Sequence, residues 1–309
     1  MFGLSRYNYG EFRRSSLMKD MIKAKRGTAP EPGEKAPDFE LQTLDGDKIR
    51  LDELRQKRNV VLTFGSATCP MTAASVGALQ ALHKKFGGQG VEFLFVYARE
   101  AHPGERLRAH RNLGEKIRAA DLFREQEGIA FPILIDELSG KVHRSYGSLP
   151  NSTYIVDRSG RIAFRSLSTR PEAVREALEE LIERQQERKV DHAVVRGGED
   201  RAWPPPLRSL LYSHRALERG GERAIRQFRR ELGVPGEIAL VSSRLASPVV
   251  EHPRATAVTI AAVAGVLGLG LWIGLALRRR RFERTPYSGY DYAGRESRRT
   301  GTDDYEVGI

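Results

Sequence analysis

The chain has 309 residues, 40% of them apolar, which is enough for a substantial core and suggests two domains or one domain with long extensions. Its formal net charge of +11 suits an anionic partner or an arginine-rich surface, and we expect no nucleic-acid partner. The single cysteine, Cys69, excludes an intramolecular disulfide, and no cysteine and histidine residues have the spacing of a zinc site.

The chain begins with a predicted flexible basic arm, residues 1–29, which lacks the apolar run of a signal peptide. A domain over residues 30–188 follows, in which apolar periodicity and turn residues indicate the elements. The predicted strands are residues 59–64, 91–97, 131–136, 152–157 and 161–166, and the predicted helices are residues 74–86, 105–125 and 169–188.

This order of elements predicts an α/β fold of the thioredoxin-like type with one inserted strand. A strand–helix–strand crossover implies parallel pairing, whereas the closing hairpin must pair antiparallel. We therefore expect a mixed central sheet with helices on both faces, ending near Arg188.

The segment after this domain is rich in arginine and is predicted to be a helical spacer, residues 189–254. It contains two basic helical patterns, residues 207–219 and 222–232. Two interpretations remain open, because such helices either lie on an anionic membrane surface or form a solvated spacer.

A membrane helix is predicted over residues 255–277, which carry no charge and are long enough to cross a bilayer. Trp272 and the arginines at 278–281 suit the far interface. Gly270 and Gly274 form a GxxxG pattern, which is compatible with a homodimer that forms through this helix. The polar tail, residues 278–309, is predicted to be disordered.

The chemistry is expected at Cys69, in the stretch TFGSATCPMT. Cysteine reacts as the thiolate, and a helix start supplies free backbone N–H groups and partial positive charge that lower its pKa. Pro70 suits the first helical turn, and Ser66 and Thr68 offer hydroxyl groups close by. A buried, inert cysteine is the simpler alternative.

Several stretches resemble known redox families. PEPGEKAPDFELQTLDGDKIRLDEL resembles the start of redoxins and peroxiredoxins. TFGSATCP resembles the active-site motif of the iodothyronine deiodinases, with cysteine in place of selenocysteine. FLFVYAREAHPGE and SLPNSTYIVDRSGRIAFRS resemble later deiodinase segments, so the similarity covers residues 30–188.

This resemblance implies that Cys69 is the attacking atom, that His102 is the active-site histidine and that Glu100 is the acidic residue before it. Both Cys69 and His102 follow predicted parallel strands, whose carboxyl ends carry the sites of open α/β sheets. A histidine there either donates a proton to a leaving group or pairs with the thiolate. Pro150 is the candidate for the proline that faces the cysteine in thioredoxin folds, although the register also allows Asn151.

Three functions follow. The first is a membrane-anchored, single-cysteine thiol oxidoreductase of the deiodinase-like type, which attacks halogen or oxygen in a small-molecule substrate. It needs no cofactor, and an external thiol such as glutathione or thioredoxin restores it. The second is a one-cysteine peroxiredoxin, although Leu62 stands where that family has a proline. The third is a non-catalytic membrane scaffold.

The expected location is a membrane crossed once. The arginines at 278–281 favour a cytoplasmic tail, which would place the domain outside, yet no signal peptide is found to export it. We expect the domain to face the cytoplasm, because a lone regenerable thiol suits a reducing compartment.

Overall fold

The computed structural model of the protein describes residues 7–195, 198–200 and 207–251. The strands in this part are β1 (Glu40–Thr43), β2 (Lys48–Arg50), β3 (Asn59–Gly65), β4 (Val91–Tyr97), β5 (Ile133–Ile135), β6 (Ser152–Val156), β7 (Ile162–Ser166) and β8 (Glu199–Asp200). The α-helices are α1 (Arg14–Lys23), α2 (Pro70–Phe86), α3 (Leu113–Glu127), α4 (Lys141–Ser145), α5 (Pro171–Arg188), α6 (Ser213–Gly220), α7 (Glu222–Leu232) and α8 (Val234–Glu251). Short turns of 3₁₀-helix occupy Leu51–Leu54, Gly87–Gln89 and Leu207–Tyr212, and a π-helical turn occupies Ala24–Thr28.

The strands form one mixed sheet in the order β2-β1-β5-β4-β3-β6-β7-β8. Strand β4 is parallel to β3 and β5, whereas β6 pairs antiparallel with both β3 and β7. The predicted thioredoxin-like α/β fold with a mixed sheet is thus confirmed. The β1–β2 hairpin and β8 extend the sheet at its two edges.

The core lies on both faces of this sheet, because side chains of β3 and β4 alternate between the faces. Val61, Phe93 and Phe95 pack with α2, α3 and α5 on one face. Leu62, Phe64 and Val96 lie on the other, which is covered by the short helix α4 and the turn Leu51–Leu54. The three long helices of the domain therefore lie on one face only.

The predicted helix over residues 105–125 begins later, at Leu113. Asn112 caps it, since its Oδ1 accepts a hydrogen bond from the N–H of Glu115 at 2.9 Å. The Glu115 carboxylate in turn accepts from the N–H of Arg111 at 2.8 Å. These two hydrogen bonds set the helix start, which leaves residues 105–112 as a loop next to His102.

The described parts of the two segments that flank the predicted domain, residues 7–29 and residues 189–195, 198–200 and 207–251, are folded onto it. Where the sequence predicts a flexible arm, the structure has α1, and Tyr7 and Phe12 are buried. Beyond Arg188, Ala193 and Val195 join the main core, and β8 pairs with β7. The turn Leu207–Tyr212 and helix α6 pack against α2.

None of the helices in the described ranges is long and apolar enough to cross a membrane. The predicted membrane helix, residues 255–277, and the predicted tail, residues 278–309, lie outside the described residues.

The arm is anchored at a buried histidine, His143, whose Nε2 lies 2.7 Å from the carbonyl oxygen of Leu149. A carbonyl only accepts, so Nε2 carries the proton and Nδ1 accepts from the Tyr7 hydroxyl at 2.8 Å. Burial, together with the charge of Arg99, lowers the pKa of His143 to about 3.

Acid is therefore expected to destabilise the protein through His143. Below about pH 6.5 the histidine of the unfolded chain binds a proton, whereas the buried histidine of the native protein does not. For this residue the free energy of unfolding therefore decreases by about 1.4 kcal/mol for each unit by which the pH is lowered, or by about 2 kcal/mol at pH 5. Urea unfolding between pH 7 and pH 5 measures this loss. The His143→Gln variant should be less stable at pH 7 but should depend less on pH. An equal pH dependence in both proteins would contradict this assignment.

Candidate active site

Cys69 lies at the junction between the end of β3 and helix α2, where it is the N-cap residue and Pro70 is the first helical residue. Its N–H donates to the carbonyl of Ser66 at 3.2 Å, and its carbonyl accepts from the N–H of Ala73 at 3.0 Å. The thiol is 1% exposed. The predicted placement at a strand-to-helix junction is confirmed, but the side chain is enclosed.

Burial raises the pKa of the Cys69 thiol. Hydrogen bonds from the backbone of Met71 and from the backbone and hydroxyl of Thr72 act in the opposite direction, and the charge of Glu100 adds to the increase. The sequence predicts a lowered pKa from the helix start. That effect is present, but it is outweighed by the loss of water around the thiol.

A buried carboxylate, Glu100, connects the Cys69 loop to the end of β4. Its Oε2 accepts from the N–H and the hydroxyl of Thr68, at 3.0 and 2.7 Å. Its Oε1 accepts from the Tyr97 hydroxyl at 2.5 Å and lies 3.4 Å from His110 Nε2. Burial acts to raise the pKa of Glu100, but these contacts outweigh it, so the pKa is lowered and the carboxylate stays charged.

His102 is brought to the same place through Thr68, whose Oγ1 accepts from the His102 N–H at 3.0 Å. The imidazole is 6% exposed and packs between two aromatic rings, Phe12 at 4.2 Å and Phe228 at 5.4 Å between centroids. Burial lowers the pKa of His102 to about 3, although Glu100 acts to raise it. The imidazole is therefore neutral at neutral pH, so it forms no ion pair with a Cys69 thiolate in this enclosed state.

The hydroxyls of Ser66 and Thr68 hold the loop after β4. Ser66 Oγ accepts from the N–H of Ala101 at 3.1 Å, and Thr68 Oγ1 binds Glu100 and His102. The sequence predicts these hydroxyls as donors near the thiol. In the structure they join the two loops that carry Cys69 and His102, and Thr72 is the residue whose hydroxyl bonds to the thiol.

Pro150 also lies near the start of α2, because its carbonyl is 3.5 Å from Thr72 Oγ1. Asn151 follows it and is 1% exposed, and neither polar atom of its side chain has a hydrogen-bond partner among the described residues. Within the same part of the chain, Nδ1 of His102 is likewise buried without a partner. An unpaired buried polar group costs about 1–3 kcal/mol, so both groups are candidates to bind a substrate atom.

Arg219 of α6 reaches into this site from outside the predicted domain. Its Nη1 donates to the carbonyl of Ala67 at 3.0 Å, its Nε donates to Gln126 Oε1 at 2.7 Å, and its Nη2 pairs with Glu127. The peptide between Ala67 and Thr68 is therefore held at both ends, by Arg219 at its oxygen and by Glu100 at its nitrogen.

Close packing at Gly220 allows α6 to approach the site. A Cβ at this position would lie 2.7 Å from the carbonyl oxygen of His102 and 2.7 Å from Cβ of Ala224, so no larger residue fits. The arginine-rich composition of the segment gives no signal that singles out Arg219 or Phe228.

The site is closed by what we call the cap, residues 7–23 of the arm together with helices α6 and α7. Tyr9 donates to the carbonyl of Ala101 at 3.2 Å, and Asp20 pairs with Arg99. The two halves of the cap also contact each other, since the N–H of Phe12 donates to Gln227 Oε1 at 3.3 Å. A cavity of about 160 Å³ lies nearby, against Met71, Ala74 and Ser75 of α2, but Cys69 does not line it.

The structure thus brings all six predicted site residues into one region: Cys69, His102, Ser66, Thr68, Glu100 and Pro150. Sequence reasoning missed Tyr97, His110, Arg219, Phe12 and Phe228. The position of Tyr97 at the end of β4, three residues before Glu100, was a usable signal, since strand ends carry the site. His110 lies in the loop that follows His102 but has no local motif, and Arg219, Phe12 and Phe228 come from distant segments.

Comparison with known proteins identifies the family. Residues 32–165 match the sequence pattern of the AhpC/TSA family. The thiol-disulfide oxidoreductase ResA of Geobacillus thermodenitrificans is 32% identical over 136 residues, which are 44% of this chain and 68% of that protein. The chain belongs to the AhpC/TSA family.

This AhpC/TSA protein is also similar to deiodinases. The type I iodothyronine deiodinase of Xenopus laevis is 29% identical over 142 residues, 43% of this chain and 55% of the relative. The thyroxine 5-deiodinase of Ovis aries is 31% identical over 144 residues, 43% of this chain and 48% of the relative. The chain spans about half the length of these deiodinases.

Proposed function

We propose that the protein is a membrane-anchored thiol oxidoreductase of the deiodinase-like type, in which Cys69 removes halogen from an aromatic substrate and an external thiol restores it. One observation carries this proposal: Cys69 caps α2 with Thr72 in the place of a second cysteine, and Thr68 joins it to Glu100 and His102. ResA is named a thiol-disulfide oxidoreductase. With one cysteine, this chain cannot close an intramolecular disulfide, so an external thiol must complete its cycle.

The proposed reaction transfers halogen from carbon to sulfur. The Cys69 thiolate attacks the halogen, an S–halogen bond forms, and the carbon–halogen electron pair stays on carbon, which takes a proton from His102. A thiol then attacks the Cys69 sulfur, releases halide and forms a mixed disulfide. A second thiol frees Cys69 and leaves as part of a disulfide, so two thiols are oxidised for each carbon–halogen bond that is reduced.

The surroundings of His102 suit an aromatic substrate. Phe12 and Phe228 flank the imidazole, and rings stack favourably at such spacings. The unpaired amide of Asn151 offers a hydrogen bond to a polar substituent. A ring that enters between the cap and the Cys69 loop would therefore meet apolar faces and one polar anchor.

A one-cysteine peroxidase is the second candidate, and the AhpC/TSA membership favours it. In that reaction the thiolate takes an oxygen from a peroxide and becomes a sulfenic acid, which two thiols reduce with release of water. Leu62 weighs against it, since it is buried within β3 at a position where the peroxiredoxin pattern has proline.

A non-catalytic scaffold is the third candidate, because the closed thiol has a raised pKa. The three functions are separated by one comparison in the presence of glutathione or a thioredoxin system. Loss of iodide from iodophenols that exceeds peroxide consumption supports the first. The reverse order supports the peroxidase, and neither reaction supports the scaffold.

Opening the cap is expected to activate the thiol. The Phe12→Ala variant removes the ring that packs on His102, and burial of such a ring contributes about 1.5–3 kcal/mol, so we expect a roughly tenfold faster alkylation of Cys69 by iodoacetamide. Met18→Ala, on the exposed side of the same arm, is the matched control and should change nothing. Equal rates in wild type and Phe12→Ala would show that the arm does not limit access.

The membrane anchor is proposed from sequence alone, since residues 255–277 are free of charge and end at the arginines 278–281. We propose that the catalytic domain faces the cytoplasm, where glutathione or thioredoxin is available, and that Gly270 and Gly274 support a homodimer. Labelling of Cys69 in intact cells by a membrane-impermeant maleimide before lysis would contradict this orientation.

A further inference from the structure

Helix α8 is apolar on the side that faces solvent. Its inner side packs against α6 and α7, where Ala239 and Leu240 join a cluster with Leu217, Ala224, Ile225 and Phe228. Its outer side carries Val234, Ile238, Val241 and Leu245, which are 73%, 39%, 46% and 42% exposed. A surface helix normally has polar residues on its outer side, so this helix lacks the expected polar face.

The four exposed residues form one stripe. They are spaced by four, three and four positions, which places them on the same line along a helix. The charged residues of the exposed side, Glu237 and Arg244, lie together along one edge of this stripe, and Glu237 pairs with Arg229 at 2.9 Å. A continuous apolar stripe of this kind marks a contact with an apolar partner.

A lipid bilayer is the partner that the chain itself indicates. Helix α8 ends at Glu251, and the charge-free segment 255–277 begins four residues later. We propose that the stripe Val234, Ile238, Val241 and Leu245 lies in the membrane interface, so that α8 is an interfacial helix; this rests on the proposed membrane anchor.

A second copy of the chain fits the stripe less well. The spacing is that of a coiled-coil seam, but such a seam needs about three to four heptads. This stripe covers fewer than two, and Pro235 and Pro248 stand at its two ends. A membrane interface, by contrast, accepts a short apolar stripe, because its apolar side chains enter only the outer layer of the bilayer.

This contact would place the candidate active site at the membrane surface. Helix α8 packs on α7, and Phe228 of α7 contacts the His102 ring. One helix thus separates the stripe from the site. Apolar aromatic substrates concentrate in bilayers, so the arrangement gives the site access to substrate from the lipid phase.

The test uses the full chain reconstituted in vesicles of phosphatidylcholine and phosphatidylserine. Because Cys69 is the only cysteine, Cys69→Ser combined with Val241→Cys gives a single site for a bimane label. Lys48→Cys in the same background, on edge strand β2 with a side chain 74% exposed, is the aqueous control. We expect a blue-shifted emission at position 241 and roughly threefold stronger quenching there than at position 48 by lipids with a nitroxide near the top of the acyl chain.

Three outcomes overturn the proposal, and they differ in what they say about the anchor. If the protein resists alkaline extraction but both labels are quenched equally, the stripe is not in the membrane and the anchor stands. If alkali extracts the protein and both labels are quenched equally, the stripe and the anchor both fail. If the blue shift at position 241 depends on protein concentration and is insensitive to nitroxide lipids, a second copy covers the stripe.

Discussion

The Cys69→Ser variant is expected to lower thiol-dependent turnover by at least about 10⁴-fold, because it lacks the atom that is proposed to attack the substrate. No other cysteine in the chain can take over the role. Turnover is measured as halide release or peroxide consumption with a thiol reductant. The fold should persist, since serine is close to cysteine in size and Thr72 still offers a hydroxyl partner at the helix start.

Thr72→Ser is the matched control for this experiment. It keeps the hydroxyl near Cys69 but removes a methyl group, so it should retain most of the activity. Circular dichroism and the thermal midpoint should match wild type for both variants. Residual turnover in a folded Cys69→Ser protein would show that another group performs the chemistry, and the proposed mechanism would then be wrong.

The fold was predictable where periodicity is strong. Strand β4 and helix α7 match the predicted bounds, because uninterrupted apolar runs and regular helical spacing define them. The start of α3 was not predictable in the same way. The residues before Leu113 also favour a helix, and only the hydrogen bonds of Asn112 and Glu115 fix the first helical residue. The short pairing of β8 with β7 has no signal in its two residues.

The candidate site was predictable only in part. Cys69, Glu100 and His102 follow strand ends, which local patterns reveal. Their enclosure was not predictable, because it depends on contacts between segments far apart in sequence, such as Phe12 with His102 and Arg219 with Ala67. Composition alone assigns the arginines of residues 189–254 to a solvated or membrane surface, and it cannot show that Arg219 is buried.

Enclosure also reversed the expected electrostatics at the site. Burial raises the pKa of Cys69 and lowers that of His102, so the closed state favours a neutral thiol and a neutral imidazole. The reactive pair of thiolate and imidazolium is then rare. Opening of the cap restores water to both groups, which lowers the pKa of Cys69 and raises the pKa of His102.

The His102→Ala variant is expected to lower kcat/KM for a halogenated phenol by roughly 10²-fold, the usual effect of removing a general acid. In the proposed mechanism a protonated His102 delivers the proton to carbon, so wild-type activity should fall as pH rises above the pKa that His102 has in the open state. The variant should lose this alkaline limb, whereas the rise of activity with ionisation of Cys69 should remain. The measurement is a pH profile of halide release.

Alkylation distinguishes proton donation from activation of the thiol. Iodoacetamide needs only the thiolate, so His102→Ala should not slow the alkylation of Cys69, and the space left between Phe12 and Phe228 should make it faster. Added imidazole fits that space and should restore part of the turnover. His102→Gln is the control that keeps a donor but cannot titrate, and its turnover should be as low as that of His102→Ala. If alkylation and turnover both fall in His102→Ala, the histidine instead stabilises the thiolate. If neither falls, the role of His102 is confined to packing against the cap.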